Sequence, residues 1–164
     1  QDDRIDQVMW RGQTTADPSG YHVVTADRGK LHFWPAENNA ASAVDEHGNV
    51  WAWQGELAVV QAQVSAANRL TFSDYPNAFE RIKGGLACKS GGHVWVTAKP
   101  GYEFSLTNMS IHADGGSHGS LHALDSVVPL WVAGIPAEVD IPHHPRIVDI
   151  APLCLATLGL NNSA

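Results

Sequence analysis

The chain has 164 residues, of which 44% are hydrophobic and 16% are charged, and these values fit one globular domain with a sizeable core. The formal net charge of -7 argues against nucleic acid as a partner, because proteins that bind the phosphate backbone usually carry a basic face. No apolar run reaches about eighteen residues, so we expect no membrane span, and the two cysteines, Cys88 and Cys154, are too few and too far apart for a disulfide framework or a zinc finger.

The first portion of the chain, residues 1–70, is predicted to be rich in β-hairpins. Runs of Val, Tyr, Phe and Trp at 21–25 and 31–34 flank a set of turn-forming residues, and a third run at 50–53 follows another turn signal. Four of the six tryptophans lie in this portion. Aromatic residues on neighbouring strands commonly stabilise a small sheet, so we interpret these tryptophans as core or sheet-surface residues rather than a ligand platform.

The second portion, residues 71–160, is predicted to be of α/β type. Asp74 is a candidate N-cap of a helix that has Pro76 in its first turn and ends at the glycines 84–85. Residues 93–98 have the composition of a short strand, and a strand directly after a helix suggests an α/β unit. Three apolar residues at helical spacing are expected to line the buried side of the helix: Phe79, Ile82 and Leu86.

Two further elements are predicted towards the end of the chain. The nearly continuous apolar run 127–133 is typical of a strand that is buried on both faces. Asp149 is a candidate N-cap of a last helix that continues through residue 158. Three residues recur at helical spacing there and are expected to form a buried stripe: Ile150, Cys154 and Leu158.

The segment 109–124 is predicted to be an irregular loop that carries the candidate site. It contains three glycines and the histidines His112, His118 and His122. Ligand-binding groups often lie on loops at the ends of strands in α/β sheets. His118 and His122 have the i, i+4 spacing of a helical metal pair, but the surrounding glycines disfavour a helix. Spacing alone therefore leaves a metal site and simple loop packing both open.

The same loop is similar to a known family. Gly116-Ser117-His118-Gly119-Ser120, followed by Asp125 and the apolar segment 128–134, resembles the late metal-ligand motif of the type I phosphodiesterase/nucleotide pyrophosphatase family in the alkaline phosphatase superfamily. Residues 146–152 (Arg-Ile-Val-Asp-Ile-Ala-Pro) resemble the final helix of the same proteins, and 74–78 and 98–104 are similar to segments of bacterial members. The resemblance covers about residues 70–160, and the order of its pieces makes it more specific than any one of them.

The resemblance implies both a fold and an activity. The chain would be a single partial domain, the C-terminal part of an alkaline-phosphatase-like αβα sandwich with a β-hairpin-rich N-terminal portion. The parent enzyme would hydrolyse phosphodiester or pyrophosphate bonds of small molecules such as nucleotides. Its cofactors would be two divalent metal ions, zinc or manganese.

The resemblance also assigns roles to single residues. It implies that His118 ligates one of the two ions, on an exposed loop next to the strand expected to begin near Val127. His112 and His122 match no family ligand, so we treat them as candidates for contacts behind the ligands or on the substrate side, with loop packing as the alternative. Asp125 is expected to hold the loop by hydrogen bonds.

The chain departs from the family in one large respect. The family mechanism uses the two ions, a Thr or Ser nucleophile and a phosphoenzyme that water then hydrolyses. The nucleophile, the early metal-binding Asp and the central Asp-His pair have no counterpart here, so no catalytic residue is assigned. We expect the isolated chain to be inactive and its partner to be the missing N-terminal portion of the same protein. Two alternatives stay open: a noncatalytic binding module with the tryptophan-rich hairpins as its surface, and a sulfatase, phosphomonoesterase or mutase relative.

Overall fold

The computed structural model describes residues 2–12, 20–37, 42–106 and 119–160. The chain divides into two compact units, Gln1–Val127 and Val128–Ala164. The first unit is a mixture of an antiparallel sheet and a few helices, so the expected α/β class is confirmed at this coarse level. No helix within the described ranges is both long and apolar enough to cross a membrane.

Most of the strands and helices lie in the first unit, and residues 127–146 contain neither. Short 3-10 turns occupy Leu57–Val60 and Ile147–Asp149. In chain order the elements are β1 Ile5–Arg11, β2 Tyr21–Val24, β3 Lys30–Pro35, β4 Ala43–Val44, β5 Val50–Gly55, β6 Ala62–Val64, β7 Leu70–Phe72, α1 Ala78–Ala87, β8 Val94–Ala98, α2 Ala123–Ser126 and α3 Ile150–Thr157.

A six-stranded sheet forms the body of the first unit, and its strand order is β4-β5-β3-β2-β1-β8. Every pair of neighbours in it is antiparallel. The strands β2, β3 and β5 lie at the three runs expected from the sequence, so the hairpin prediction is confirmed there. Strands β6 and β7 form a separate two-stranded hairpin.

The two faces of the sheet differ in what covers them. On one face α1 packs against the sheet, and the ring of Phe79 stacks on Phe33 with their centroids 4.0 Å apart. On the opposite face four rings from β1, β2 and β3 form a continuous stack with centroid separations of 5.1, 4.3 and 4.9 Å: Trp10, His22, His32 and Trp34. Trp51 is in the core, so these tryptophans are core and sheet-surface residues, as expected.

The predicted ends of α1 are wrong, although its existence and buried side are confirmed. The helix starts after Asn77, which adopts a left-handed conformation (φ 51°) and donates a side-chain hydrogen bond to Glu80, rather than after Asp74. It continues past the glycines 84–85 as far as Ala87. Gly85 lies inside the helix, and its missing side chain makes room for the ring of Trp95. Phe79, Ile82 and Leu86 are all buried.

Replacing Gly85 by alanine should destabilise the protein, whereas the same change at Gly84 should stabilise it. A Cβ on Gly85 would lie 1.7 Å from Cη2 of Trp95, and nothing lies within 4 Å of the corresponding position on Gly84. Glycine to alanine in an exposed helix normally gains about 0.5–1 kcal/mol, but the overpacking at Gly85 should reverse the sign and cost roughly 1–3 kcal/mol. Urea unfolding of both variants measures the change in stability. Equal shifts of the two unfolding midpoints would contradict the packing of Trp95 on Gly85.

Strand β8 lies where a strand was expected, but its pairing differs from the expectation. It pairs with β1 in the antiparallel sense, so α1 and β8 do not form a parallel α/β unit. It is also an edge strand of the sheet, and Val94 and Val96 are exposed on it. The helix before β8 therefore returns the chain to the outside of β1 instead of adding a parallel strand.

The strand predicted over 127–133 is absent, and that prediction is wrong. No residue of this run has strand structure, and Val128 and Trp131 are 75% and 89% exposed. A strand buried on both faces needs neighbouring strands and covering layers, and no described segment pairs with this run. Its composition alone therefore does not make it a strand in this chain.

The last helix is confirmed as α3, but its buried stripe is not. Ile150, Cys154 and Leu158 are all exposed, so the interpretation of Cys154 as a core residue is wrong. Asp149 precedes the helix without a capping side-chain bond; its carboxylate instead accepts from the Arg146 backbone N–H at 2.8 Å and from the Arg146 guanidinium. The stripe is uncovered because no layer of the second unit's described part packs on it.

Candidate metal-binding loop

Some of the candidate site residues lie in the described part of the chain, and others lie outside it. His112 and His118 lie in 107–118, outside the described residues, so the exposed-loop position of His118 stays a prediction. His122 and Asp125 lie within 119–160, which is described. The structure therefore shows which residues contact the C-terminal end of the loop, from residue 119 onwards.

His122 has a structural role at the start of α2. Its Nδ1 accepts a hydrogen bond of 3.2 Å from the backbone N–H of Leu124, which makes it the N-cap of the helix. Its ring lies edge-on to Tyr75, with centroids 5.4 Å apart. Its Nδ1 is thus engaged by the backbone of α2, and its ring packs against Tyr75. The contacts favour loop packing for His122.

Asp125 contributes to the loop through its backbone. Its N–H donates to the His122 carbonyl at 3.0 Å and closes the first turn of α2. We find no hydrogen bond between its carboxylate and a described residue, so the expected side-chain contact is not seen in this part of the chain. Instead, the Ser126 hydroxyl donates to the same carbonyl.

Arg81 of α1 binds the main chain immediately after the loop. Its Nη1 donates to the carbonyls of Leu121 at 2.8 Å and Pro76 at 3.2 Å, and its Nη2 donates to the carbonyl of Ser120 at 3.4 Å. Burial lowers the pKa of Arg81. The side chain of Leu121 is 5% exposed and belongs to the hydrophobic core. The chain at 120–121 is thus fixed by both a main-chain and a side-chain contact.

A buried polar cluster lies next to this anchor. The Tyr75 hydroxyl donates to Asp6 at 2.8 Å, and Arg28 donates to the same carboxylate at 2.5 Å while its guanidinium lies 5.5 Å from the centre of the Tyr75 ring. Burial raises the pKa of Tyr75, and the hydrogen bond to Asp6 raises it further, so the hydroxyl stays protonated and acts as a donor. Burial tends to lower the pKa of Arg28, but its bond to Asp6 and the nearby Tyr75 reverse this and raise it.

Neither the cluster nor the Arg81 anchor was predicted from the sequence. Asp6 is 22 positions from Arg28 and 69 from Tyr75, and Arg81 is 40 positions from Leu121. No local pattern of residue types marks pairs at such separations. The nearest signal was that Tyr75 and Arg81 both follow the predicted N-cap of this helix, Asp74.

A shallow cavity at the C-terminal end of α1 brings further reactive groups together. Its volume is about 250 Å³, and Arg11, Cys88, Lys89 and His93 are among its lining residues. The Sγ of Cys88 lies 3.2 Å from Oγ of Ser90, and hydrogen bonds from this hydroxyl and from nearby backbone N–H groups lower the pKa of the thiol. Basic side chains at the C-terminal end of a helix also complement its dipole, so their presence has a structural explanation.

Within the described ranges, no group of three or more His, Cys, Asp or Glu side chains is arranged to hold a metal ion. No family model matches the chain, and neither a curated protein nor a solved structure matches it. The role of the loop is therefore inferred from its own residues and from the contacts at its C-terminal end.

Proposed function

We propose that this chain is the C-terminal part of a metal-dependent phosphoesterase that hydrolyses phosphodiester or pyrophosphate bonds in small molecules such as nucleotides. The observation that carries the proposal is the ordered set of family-like segments, above all Gly116-Ser117-His118-Gly119-Ser120 and residues 146–152. The helix α3 begins within the second of these, where the resemblance implies a final helix, and this supports the proposal.

The exposed apolar surface of the second unit supports a larger αβα sandwich as the complete fold. Residues 128–132 have the composition of a buried strand, and α3 consists mainly of apolar residues, yet 128–132 are exposed and no residue of α3 is buried. Apolar surface of this extent is normally covered in a folded protein. The covering layers are best supplied by the missing N-terminal portion, which we propose as the partner of this chain. The affected side chains include Val128, Leu130, Trp131, Ile147, Val148 and Leu158.

The metal-ligating side chains that the resemblance identifies in this chain would form only part of a metal centre. His118 provides one imidazole, whereas a catalytic ion usually takes three or more protein ligands. His122 is engaged as a helix cap, so the remaining Asp and His ligands, together with the nucleophile, would come from the missing portion. Bound there, two zinc or manganese ions would stabilise the negative charge on the transferring phosphoryl group. The contribution of this chain would be His118, two residues before the main chain at 120–121 that Arg81 holds.

The noncatalytic binding module has less support from the geometry. Its working surface would be the tryptophan-rich hairpins, but Trp51 is buried. In the outer stack the ring of His22 covers Trp10 and that of His32 covers His22, at interplanar angles of 13° and 10°. Rings that cover one another present edges rather than free faces, and a flat ligand needs a free face to stack on.

The isolated chain should show no metal-dependent hydrolysis above that of its His118→Ala variant, because it lacks the nucleophile and most ligands. The full-length gene product should hydrolyse bis(p-nitrophenyl) phosphate with added zinc or manganese. Its rates should be compared with those for p-nitrophenyl phosphate and p-nitrophenyl sulfate. Preference for either of these would indicate a phosphomonoesterase or sulfatase relative, and an inactive full-length product would favour the binding module. Robust turnover by the isolated chain that disappears in His118→Ala would show that the site is complete here.

A further inference from the structure

We propose that the cavity at the C-terminal end of α1 binds a small oxyanion, the phosphate or carboxylate group of a small molecule, between the side chains of Arg11 and Lys89. The proposal does not rest on the proposed function, because every residue that carries it is described and lies in the first unit. The cavity volume of about 250 Å³ is below the range usual for drug-sized ligands, so the ligand is small.

Two cationic side chains from different elements line this cavity. Arg11 is the last residue of β1, and Lys89 directly follows Cys88, the C-cap of α1. Both side chains are exposed, and neither makes a hydrogen bond or an ion pair with a described residue. Their N–H donors are therefore available to a ligand that enters the cavity.

The charge of the cavity is opposite to that of the whole chain. The chain has 17 Asp and Glu residues against 10 Lys and Arg, yet no carboxylate belongs to the described lining. The dipole of α1 gives a reason for Lys89, just beyond the C-terminal end of the helix. It gives none for Arg11, which comes from β1, and two cations beside one cavity repel each other. An oxyanion between them would relieve this repulsion, and the N–H groups of a guanidinium match the oxygens of phosphate and carboxylate.

The surroundings of Cys88, which lines the same cavity, also favour negative charge. The Ser90 hydroxyl lies 3.2 Å from the Sγ of Cys88, and hydrogen bonds from this hydroxyl and from the backbone N–H groups of Ser90 and Gly91 lower the pKa of the thiol. The thiolate is the form of cysteine that reacts as a nucleophile. Cys88 can therefore report on the approach of an anion to the cavity.

The test compares an anionic with a neutral alkylating reagent. Iodoacetate and iodoacetamide both form a carbon–sulfur bond with a thiolate and release iodide, but only iodoacetate carries a carboxylate. Mass spectrometry gives the ratio of the two rates at Cys88 and at Cys154, an exposed cysteine of α3 that serves as the control within the chain. Arg11→Gln and Lys89→Gln each remove one cation of the cavity, and Arg69→Gln removes an exposed arginine elsewhere. Competition uses inorganic phosphate, acetate or chloride at equal ionic strength.

We expect the ratio of iodoacetate to iodoacetamide rates at Cys88 to exceed that at Cys154 by about threefold or more. The ratio at Cys88 should fall in Arg11→Gln and in Lys89→Gln, but not in Arg69→Gln. Phosphate or acetate should slow the iodoacetate reaction at Cys88 more than chloride does, and the stronger competitor identifies the group that is bound.

Three results would each overturn the proposal: equal ratios at the two cysteines, an unchanged ratio in both cavity variants, or equal slowing by all three anions. Equal slowing would mean that the anions only screen the surface charges and occupy no site. Failure of the proposed phosphoesterase function would leave the alkylation results unaffected, because they are measured on this chain alone and need no turnover.

Discussion

Replacing His118 by alanine in the full-length gene product should lower metal content and kcat together. On the proposed function, the substitution would remove one protein ligand and open a coordination position to water, while the neighbouring ion and the nucleophile would remain. Charge stabilisation at the transferring phosphoryl group depends on both ions being held at fixed spacing. We therefore expect kcat to fall by roughly two to three orders of magnitude.

Zinc and manganese stoichiometry should be measured beside the phosphodiesterase rate in the wild type, His118→Ala and a His93→Ala control. His93 is exposed in the turn before β8 and makes no hydrogen bond to a described residue, so its removal should change neither quantity. If His118→Ala keeps both its metal and its rate, His118 is not a ligand. Loss of metal in both variants would indicate a general effect of imidazole removal rather than a role of the loop.

Replacing Asp6 by alanine should destabilise the first unit more than any surface ion-pair substitution. Asp6 is buried and accepts from both Tyr75 and Arg28. Removing one partner of a buried charge pair leaves the other without compensation and typically costs about 3–5 kcal/mol. Because the Arg28 side chain is 21% exposed and water can reach it in part, we expect roughly 2–4 kcal/mol.

The matched control is Asp2→Ala, since Asp2 pairs with Arg4 at 2.7 Å on the surface. Exposed pairs of this kind contribute little, because water screens the charges and two long side chains lose freedom, so the control should unfold close to the wild type. Urea unfolding gives the free energy of unfolding of both variants. The comparison holds if the slope of this free energy against urea concentration is the same in both. A similar loss of stability in both would show that the Asp6 cluster is not a special feature of the core.

Local sequence signals were sufficient for much of the secondary structure. The turn residues between 25 and 30 set the hairpin β2–β3, since its two strands alternate core and outer side chains on either side of that turn. The buried residues of α1 follow from helical spacing, because Phe79, Ile82 and Leu86 lie on one face whatever packs against them. In each case the spacing of residues close in the chain sets which side chains share a face.

Predictions failed where the outcome depended on distant partners. The glycines 84–85 were expected to end α1, but Trp95 packs on Gly85 and the helix continues. Strand β8 was expected in an α/β unit, but it pairs in the antiparallel sense with β1, at the other end of the first unit's sequence. The run 127–133 has the composition of a strand, yet a strand forms only where neighbouring strands supply hydrogen bonds.

In the candidate site, too, some features follow from the sequence and others depend on the tertiary structure. The motif around His118 could be recognised from the sequence by itself, because it consists of consecutive residue types, and its role in metal binding stays a proposal. Only the tertiary structure decided how the end of that loop is held, through Arg81 on the carbonyls of Ser120 and Leu121 and through His122 against Tyr75. These contacts join residues about forty or more positions apart, and they exist only because the sheet and α1 bring those segments together, which no local pattern of residues encodes.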